Sequence, residues 1–140
     1  MDLDKIELPE WIKERILKMN KAPFIQTFGI ELISISADGE VRMTMDASDK
    51  HNALGAAHGG AVFTIADQAF AIACNLGPEL QVAMFASITF IKPARGMLEA
   101  VARKIGETKR TSVFEVKVFE KGDLIAIFQG TGYTLEDRVK

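Results

Sequence analysis

The feature that most constrains this chain is an apolar run over residues 61–74, directly after Gly59 and Gly60. As a helix, this run would be apolar on nearly every side, so most of its surface must be buried. It is shorter than the roughly 20 residues that cross a membrane, and Asp67 and Gln68 interrupt it. The sequence therefore predicts one central helix inside a protein core and no membrane segment.

Strand patterns on both sides of this helix predict an antiparallel sheet. Before the helix, residues 30–35 and 41–46 read as a hairpin, because apolar and polar residues alternate in the second segment. After the helix, strands are predicted over 81–92, 97–105, 111–119 and 124–135. Connections this short favour antiparallel neighbours. The expected fold class is α+β, with one buried helix lying on an antiparallel sheet.

The N-terminal segment is predicted to be a peripheral cover. An amphipathic helix begins near Pro9, which suits a first helical turn, and stops before Pro23. We expect residues 1–23 to cover the core and residues 1–140 to form a single domain, because the chain contains no repeat or linker.

Charge and composition exclude several classes of protein. A net charge of −2 gives no field that would attract nucleic acid. The single cysteine, Cys74, indicates a reducing compartment, and acid at Asp2 and Asp4 is unlike a secretory signal, so we expect a cytoplasmic protein. With only His51 and His58, a metal site is not expected, nor is a cofactor.

Two residue patterns at the central helix can carry chemistry. N–H groups in a first helical turn lack intrahelical acceptors, and Gly59 and Gly60 have no side chains to block them, so they can form an oxyanion hole. Glycines here equally serve tight backbone geometry. Asp67 lies inside the apolar helix, where an unpaired charge is costly, which indicates either a reactive acid or a structural acid with a basic partner.

These two features cannot serve one carbonyl from a single helix. Asp67 follows Gly60 by seven positions, which puts both on nearly one face but about 10 Å apart along the axis. A catalytic base acts over about 3 Å. Two antiparallel helices related by a two-fold axis would instead bring one chain's Asp67 to the glycines of the other. The spacing favours a site shared between two copies.

The segment from Asn52 to Gly60, NALGAAHGG, with Asp67 nine residues after His58, resembles hotdog-fold acyl-CoA thioesterases of the phenylacetate-pathway (PaaI-like) type. The resemblance spans residues 29–135. It implies a long central helix wrapped by a curved antiparallel sheet of five to six strands, and a homodimer or a homotetramer made of two dimers. It also implies hydrolysis of an acyl-CoA thioester with an aromatic, phenylacetyl-type, or medium-chain acyl group.

The resemblance also implies roles for individual residues. Gly59 would donate its N–H to the thioester carbonyl, while Asp67 of the facing chain would act as general base or as nucleophile. Asn52 and His58 would orient water or support the loop, although both residue types also suit structural positions.

Further residues are expected to bind substrate. CoA carries phosphates, which require a basic rim. The candidates for this rim are Lys92, Arg95, Lys109, Arg110 and Thr111. Near the thioester, the candidates are Gly60, Phe63 and Gln68. Other phenylalanines, Phe90 among them, are more typical of a core than of an acyl pocket.

Two alternative functions remain open. A hydratase or dehydratase on the same fold would need His58 beside an acid, and it would change enoyl-CoA without releasing thiol. A sensor or carrier would bind acyl-CoA without turnover, although a passive apolar pocket gains nothing from a buried Asp67.

Overall fold

A computed structural model of the chain describes residue 3 and residues 6–135. The elements in this part are α1 (Glu10–Asn20), α2 (Pro23–Phe28), β1 (Glu31–Ile35), β2 (Val41–Asp46), α3 (Gly59–Ala73), β3 (Gln81–Phe90), β4 (Met97–Glu107), β5 (Thr111–Glu120) and β6 (Asp123–Thr134). Asp2 and Asp4, used above to argue against a secretory signal, lie outside the described residues. So do both ends of the expected domain, residues 1 and 140.

One six-stranded sheet carries the fold. The strand order is β1-β2-β4-β5-β6-β3, and each pair of neighbours is antiparallel. Helix α3 packs against β2, β4, β5, β6 and β3, so the sheet curves around it. The predicted α+β class, with a central helix on an antiparallel sheet, is confirmed.

The predicted neighbours of β3 are wrong. The short connection predicted over residues 93–96 suggested that β3 pairs with β4, but β3 pairs with β6 at the edge of the sheet, while β4 lies between β2 and β5. In the structure the connection between β3 and β4 covers residues 91–96. β3 and β4 are three strand spacings apart in the sheet, which amounts to about 14 Å. The connection can span about 20 Å when extended, so it crosses the end of the sheet instead of turning back.

Aromatic rings fill the core between α3 and the sheet. Phe70 lies 5.8 Å from Phe114 and 5.7 Å from Phe128, measured between ring centroids, and all three rings are buried. Gly130 on β6 makes room for them, because a Cβ there would lie 2.8 Å from the Phe70 ring. The central helix is therefore held against the sheet by tightly packed rings.

The N-terminal helices cover one flank of α3. Arg15 of α1 donates to the carbonyl oxygens of Asn75 (3.1 Å) and Gly77 (2.9 Å), which follow the C-terminal end of α3. Gln68 of α3 donates to the carbonyl oxygen of Met19 at the end of α1. Pro23, expected to end a helix, also begins the short helix α2.

No helix in residues 6–135 is both long enough and apolar enough to span a membrane.

Candidate active site

The loop before α3 is folded around Asn52. The Asn52 side-chain oxygen accepts from the N–H groups of Leu54 (2.9 Å) and Ala56 (3.1 Å), and the Asn52 N–H donates to the Ala56 carbonyl oxygen (2.7 Å). Gly55 has φ of 80°, a conformation that favours glycine. The Asn52 oxygen is thus used within the turn, and its Nδ2 group is the part left to meet a substrate or water.

Residues 94–96 hold this loop in place. Ala57 N–H donates to the Ala94 carbonyl oxygen (2.7 Å), and the Arg95 guanidinium donates to the Gly55 carbonyl oxygen (2.5 Å). The Glu120 carboxylate accepts from the N–H groups of Arg95 (2.9 Å) and its neighbour Gly96 (2.7 Å), and these bonds lower the pKa of Glu120. Arg95, predicted to bind CoA, is in this structure bonded to the turn that carries Asn52.

His58 caps the first turn of α3 and leaves one amide free. Its Nδ1 atom accepts from the Gly60 N–H (2.9 Å), and its carbonyl oxygen accepts from Ala61 (2.9 Å) and Val62 (3.1 Å). Of the N–H groups in this turn, that of Gly59 has no acceptor within the described residues. A free N–H at the positive end of a helix is suited to a developing negative charge.

An open cleft of about 380 Å³ lies beside this amide. Its lining includes Asn52, Gly59, Val62, Phe90 and Lys92. The cleft therefore brings the Asn52 turn, the free amide and one of the predicted basic residues to a single place.

Asp67 lies on the stripe of α3 that the described residues cover least. The less buried positions of the helix are Gly59, Gly60, Phe63, Thr64, Asp67 and Ala71, which lie about three or four positions apart along one side of it. Within the described residues the Asp67 carboxylate has no hydrogen bond or ion pair, and burial raises its pKa. The described residues thus provide no basic partner for this acid.

Gly59 and Asp67 are separated along the helix as the spacing predicted. Eight positions at ~1.5 Å each place them about 12 Å apart along the axis. Beside the stripe, Gln68 meets α1, and on the stripe the Phe63 ring packs with its centroid 5.3 Å from that of the Phe128 ring. The acid and the free amide therefore both lie at partly exposed positions of α3.

The predicted CoA-binding residues fall at two ends of the sheet. Lys92 lies near Gly59, its Nζ atom 4.0 Å from the Asp123 carboxylate. Lys109 and Arg110 lie in the β4–β5 turn, with Thr111 at the start of β5, near the first residues of β3. Because β3 is about 30 Å long, one chain cannot bring both groups to one nucleotide.

Within residues 6–135, neither a metal-binding cluster nor the cavity on the far face of the sheet adds to this site. No group of three His, Cys, Asp or Glu side chains there could hold a metal ion. A cavity of about 700 Å³ is lined by residues such as Arg42, Val101 and Lys117 and lies on the sheet face opposite to α3. It is remote from Gly59 and Asp67.

Several proteins that are similar to this chain are thioesterases. A family model described as a domain of unknown function (DUF4442) matches residues 12–126. The acyl-coenzyme A thioesterase PaaI of Escherichia coli is 31% identical over 114 residues, which are 79% of this chain and 81% of that protein. The structure of PaaI from the E. coli phenylacetic acid degradation operon has a TM-score of 0.83 at 27% identity, covering 93% of this chain and 97% of that one. A mutant of PaaI from Thermus thermophilus has a TM-score of 0.75 at 31% identity, covering 81% and 100%.

The fold and these similarities define a thioester hydrolase of the hotdog class. More narrowly, the chain belongs to the DUF4442 family and to the PaaI-like hotdog thioesterases. The resemblance found in residues 52–67 is thereby confirmed.

Proposed function

We propose that this protein hydrolyses acyl-CoA thioesters at a site that two subunits share. Gly59 of one subunit binds the thioester carbonyl oxygen, and Asp67 of the other supplies the reactive carboxylate. The observation that carries the proposal is the pairing of a free amide with an unpartnered acid on the least covered stripe of α3.

A two-fold axis beside Phe63 would join these groups. Position 63 is midway between 59 and 67, so two antiparallel α3 helices that cross there set Gly59 of each chain opposite Asp67 of the other. Helices in contact lie about 8–10 Å apart, and the small residues Gly60 and Ala71 on the stripe allow close approach. The match between the stripe and this symmetry supports an isologous dimer.

The edge strand β3 supports the same arrangement. Its outer edge has no partner strand in the described chain, and large apolar side chains on it and just after it are exposed: Val82, Met84, Phe85 and Ile91. Such an edge favours pairing with another strand. Antiparallel pairing of two β3 strands would bring the partner's Lys109–Thr111 turn to the Gly59 end of the first chain, where CoA phosphates would meet it together with Lys92. A homotetramer would unite two such dimers.

Hydrolysis in this site would proceed by one of two routes. As a general base, Asp67 takes a proton from water while the water oxygen bonds to the carbonyl carbon. Gly59 N–H then holds the oxyanion, the C–S bond breaks, and the CoA sulfur receives the proton. As a nucleophile, Asp67 attacks directly, CoA leaves as the thiolate, and water hydrolyses the resulting anhydride. The Asn52 Nδ2 group is free to donate to water or carbonyl, and His58 acts through its cap.

The acyl group we propose is aromatic, of phenylacetyl type, or of medium chain length. Support comes from the E. coli relative PaaI, which is named an acyl-coenzyme A thioesterase and is encoded in the phenylacetic acid degradation operon. The Phe63 ring, partly exposed on the stripe and in edge contact with the buried Phe128 ring, offers an apolar surface for such a group.

Mixing two inactive variants tests both the activity and the sharing. Asp67→Asn removes the acid, and Gly59→Val blocks the amide, so each homodimer should release almost no thiol from a panel of acyl-CoA esters. A heterodimer would contain one doubly altered site and one intact site. In a refolded equal mixture, half of the dimers should be heterodimers, and each heterodimer has one intact site out of two. The mixture should therefore recover about one quarter of wild-type activity.

The controls separate the outcomes. Asp38→Asn, an exposed acid in the β1–β2 turn, should leave activity and recovery unchanged. A mixture as inactive as its parents would contradict the shared site. A wild-type protein that binds acyl-CoA without releasing thiol would contradict hydrolysis and favour a sensor, and hydration of enoyl-CoA instead would favour the hydratase.

A further inference from the structure

We propose that Phe90 determines specificity at the acyl carbon next to the thioester carbonyl, by narrowing the space above Gly59. This inference rests on the proposed function. Phe90 would select among substrates, whereas Gly59 and Asp67 would act on them.

The Phe90 ring lies directly against Gly59. A Cβ placed on Gly59 would lie 3.1 Å from Cζ of Phe90, which is tighter than ordinary side-chain contact, and 3.5 Å from its Cε1 atom. Phe90 is on the face of β3 that meets α3, as are Ala86 and Ile88, which pack against the core. A carbonyl oxygen that accepts from the Gly59 N–H must therefore lie beside this ring.

Phe90 also stands between the basic and the apolar parts of the site. Lys92, two residues further along the chain, lines the same cleft and is exposed, whereas Phe63 lies further along α3 and packs on Phe128. A thioester whose CoA lies toward Lys92 and whose acyl group lies toward Phe63 must pass through the space in front of the Phe90 ring, which we call the gap, at its carbonyl. The first acyl carbon then lies in this gap.

The ring is held in place on one side only. Its side chain is 54% exposed, and the cleft in front of it is open. Removing it would enlarge the cleft without creating a buried cavity, so the cost in stability should be small. A substitution at Phe90 can therefore change the width of the cleft while the Gly59 amide and Asp67 stay in place.

The expected selection is against branching. An unbranched acyl group presents a CH₂ at the gap, whereas a 2-methyl-branched group presents an additional methyl that the ring would exclude. Discrimination by one methyl group in an apolar site is about 10-fold to 200-fold. Wild type should thus prefer unbranched acyl-CoA over its 2-methyl counterpart by a factor in this range.

The test is the ratio of kcat/KM for hexanoyl-CoA to that for 2-methylhexanoyl-CoA. Phe90→Ala should lower the ratio at least tenfold, mainly by raising kcat/KM of the branched ester, and Phe90→Leu should give an intermediate ratio. The control is Phe24→Ala, which removes a 63% exposed ring on α2 and should leave the ratio unchanged. Circular dichroism and urea unfolding check that each variant is folded.

The outcomes distinguish this inference from the function on which it rests. Hydrolysis by wild type with an unchanged ratio in Phe90→Ala would overturn the role of Phe90 alone. An equal fall of the ratio in Phe24→Ala would also overturn it, because loosened packing anywhere would then explain the result. Hydrolysis of neither ester, nor of any aromatic ester, would overturn the proposed function itself.

Discussion

Replacing Asp67 by asparagine should abolish activity and yet stabilise the protein. The acid is partly buried, has no partner among the described residues, and has a raised pKa because of that burial. An unpaired charge that is fully buried costs several kcal/mol, and access to solvent reduces this cost for Asp67. Asparagine has nearly the same shape without the charge, so we expect a gain of about 1 kcal/mol at neutral pH. Loss of the base should lower kcat by about 10² to 10⁴.

The gain in stability should depend on pH in a defined direction. The pKa of Asp67 is higher in the folded than in the unfolded chain, so the carboxyl disfavours folding only where it is ionised. Below the ordinary pKa of an aspartate the acid is protonated in both states, and the difference from the asparagine variant should vanish. The difference should appear as pH rises through the raised folded pKa. Urea unfolding of both proteins near pH 7.5 and near pH 3.5 measures it.

Catalysis gives an independent reading of the same group. A carboxylate that takes a proton or attacks a carbonyl must be ionised, so kcat/KM of wild type should fall as pH drops through the raised pKa, above the range of an ordinary aspartate. Two results would refute this reasoning. If the Asp67→Asn variant is less stable than wild type at both pH values, the acid is a structural partner. If the variant hydrolyses thioesters at the wild-type rate, Asp67 takes no part in the reaction.

Substitutions at four other positions test supporting roles, a substrate contact and core packing. His58→Ala should lose about 1 kcal/mol in urea unfolding because the cap of α3 is lost, and His58→Asn should restore both stability and activity; an inactive but stable His58→Asn would point to proton transfer instead. Arg95→Lys should lower kcat about fivefold with KM unchanged, which is the effect of losing one hydrogen bond. Lys92→Ala should instead raise KM, because Lys92 lines the cleft. Steady-state kinetics would contradict these roles if Arg95→Lys raised KM and Lys92→Ala lowered kcat. Gly130→Ala should cost about 2 kcal/mol in urea unfolding because its Cβ meets the Phe70 ring, and an unchanged midpoint would show that the ring can move aside.

Local patterns were enough to predict most of the elements. The central helix and the strands on either side follow from the spacing of apolar residues, and the structure has them within a few residues of the predicted limits. The sequence pattern does not predict helix α2, because Pro23 there marks the end of α1, although proline also suits a first helical turn. The place of β3 was missed because strand order depends on contacts between β3 and β6, which are far apart in the chain.

Some residues of the candidate site are likewise predictable from local sequence patterns, and others depend on contacts between distant parts of the chain. Gly59 and Asp67 stand out in the sequence because a glycine pair at a helix start and an acid in an apolar helix are locally unusual. Arg95 was assigned to substrate because of its charge, whereas its contact in the structure is a carbonyl oxygen 40 residues earlier, at Gly55. The position of the Phe90 ring over Gly59 likewise depends on how an edge strand meets a helix, which no local pattern carries.

The proposed dimer explains why several costly features lie together on one side of the chain. A free amide at Gly59, an unpartnered Asp67 and an open edge at β3 are each unfavourable in a single chain, and each would be relieved by a second copy or by a bound thioester. A structural acid would be expected to have a partner within its own fold, as Glu120 has in the N–H groups of Arg95 and Gly96. Asp67 differs from Glu120 in this respect, so its position is better explained by a group that binds there during the reaction than by the stability of the monomer.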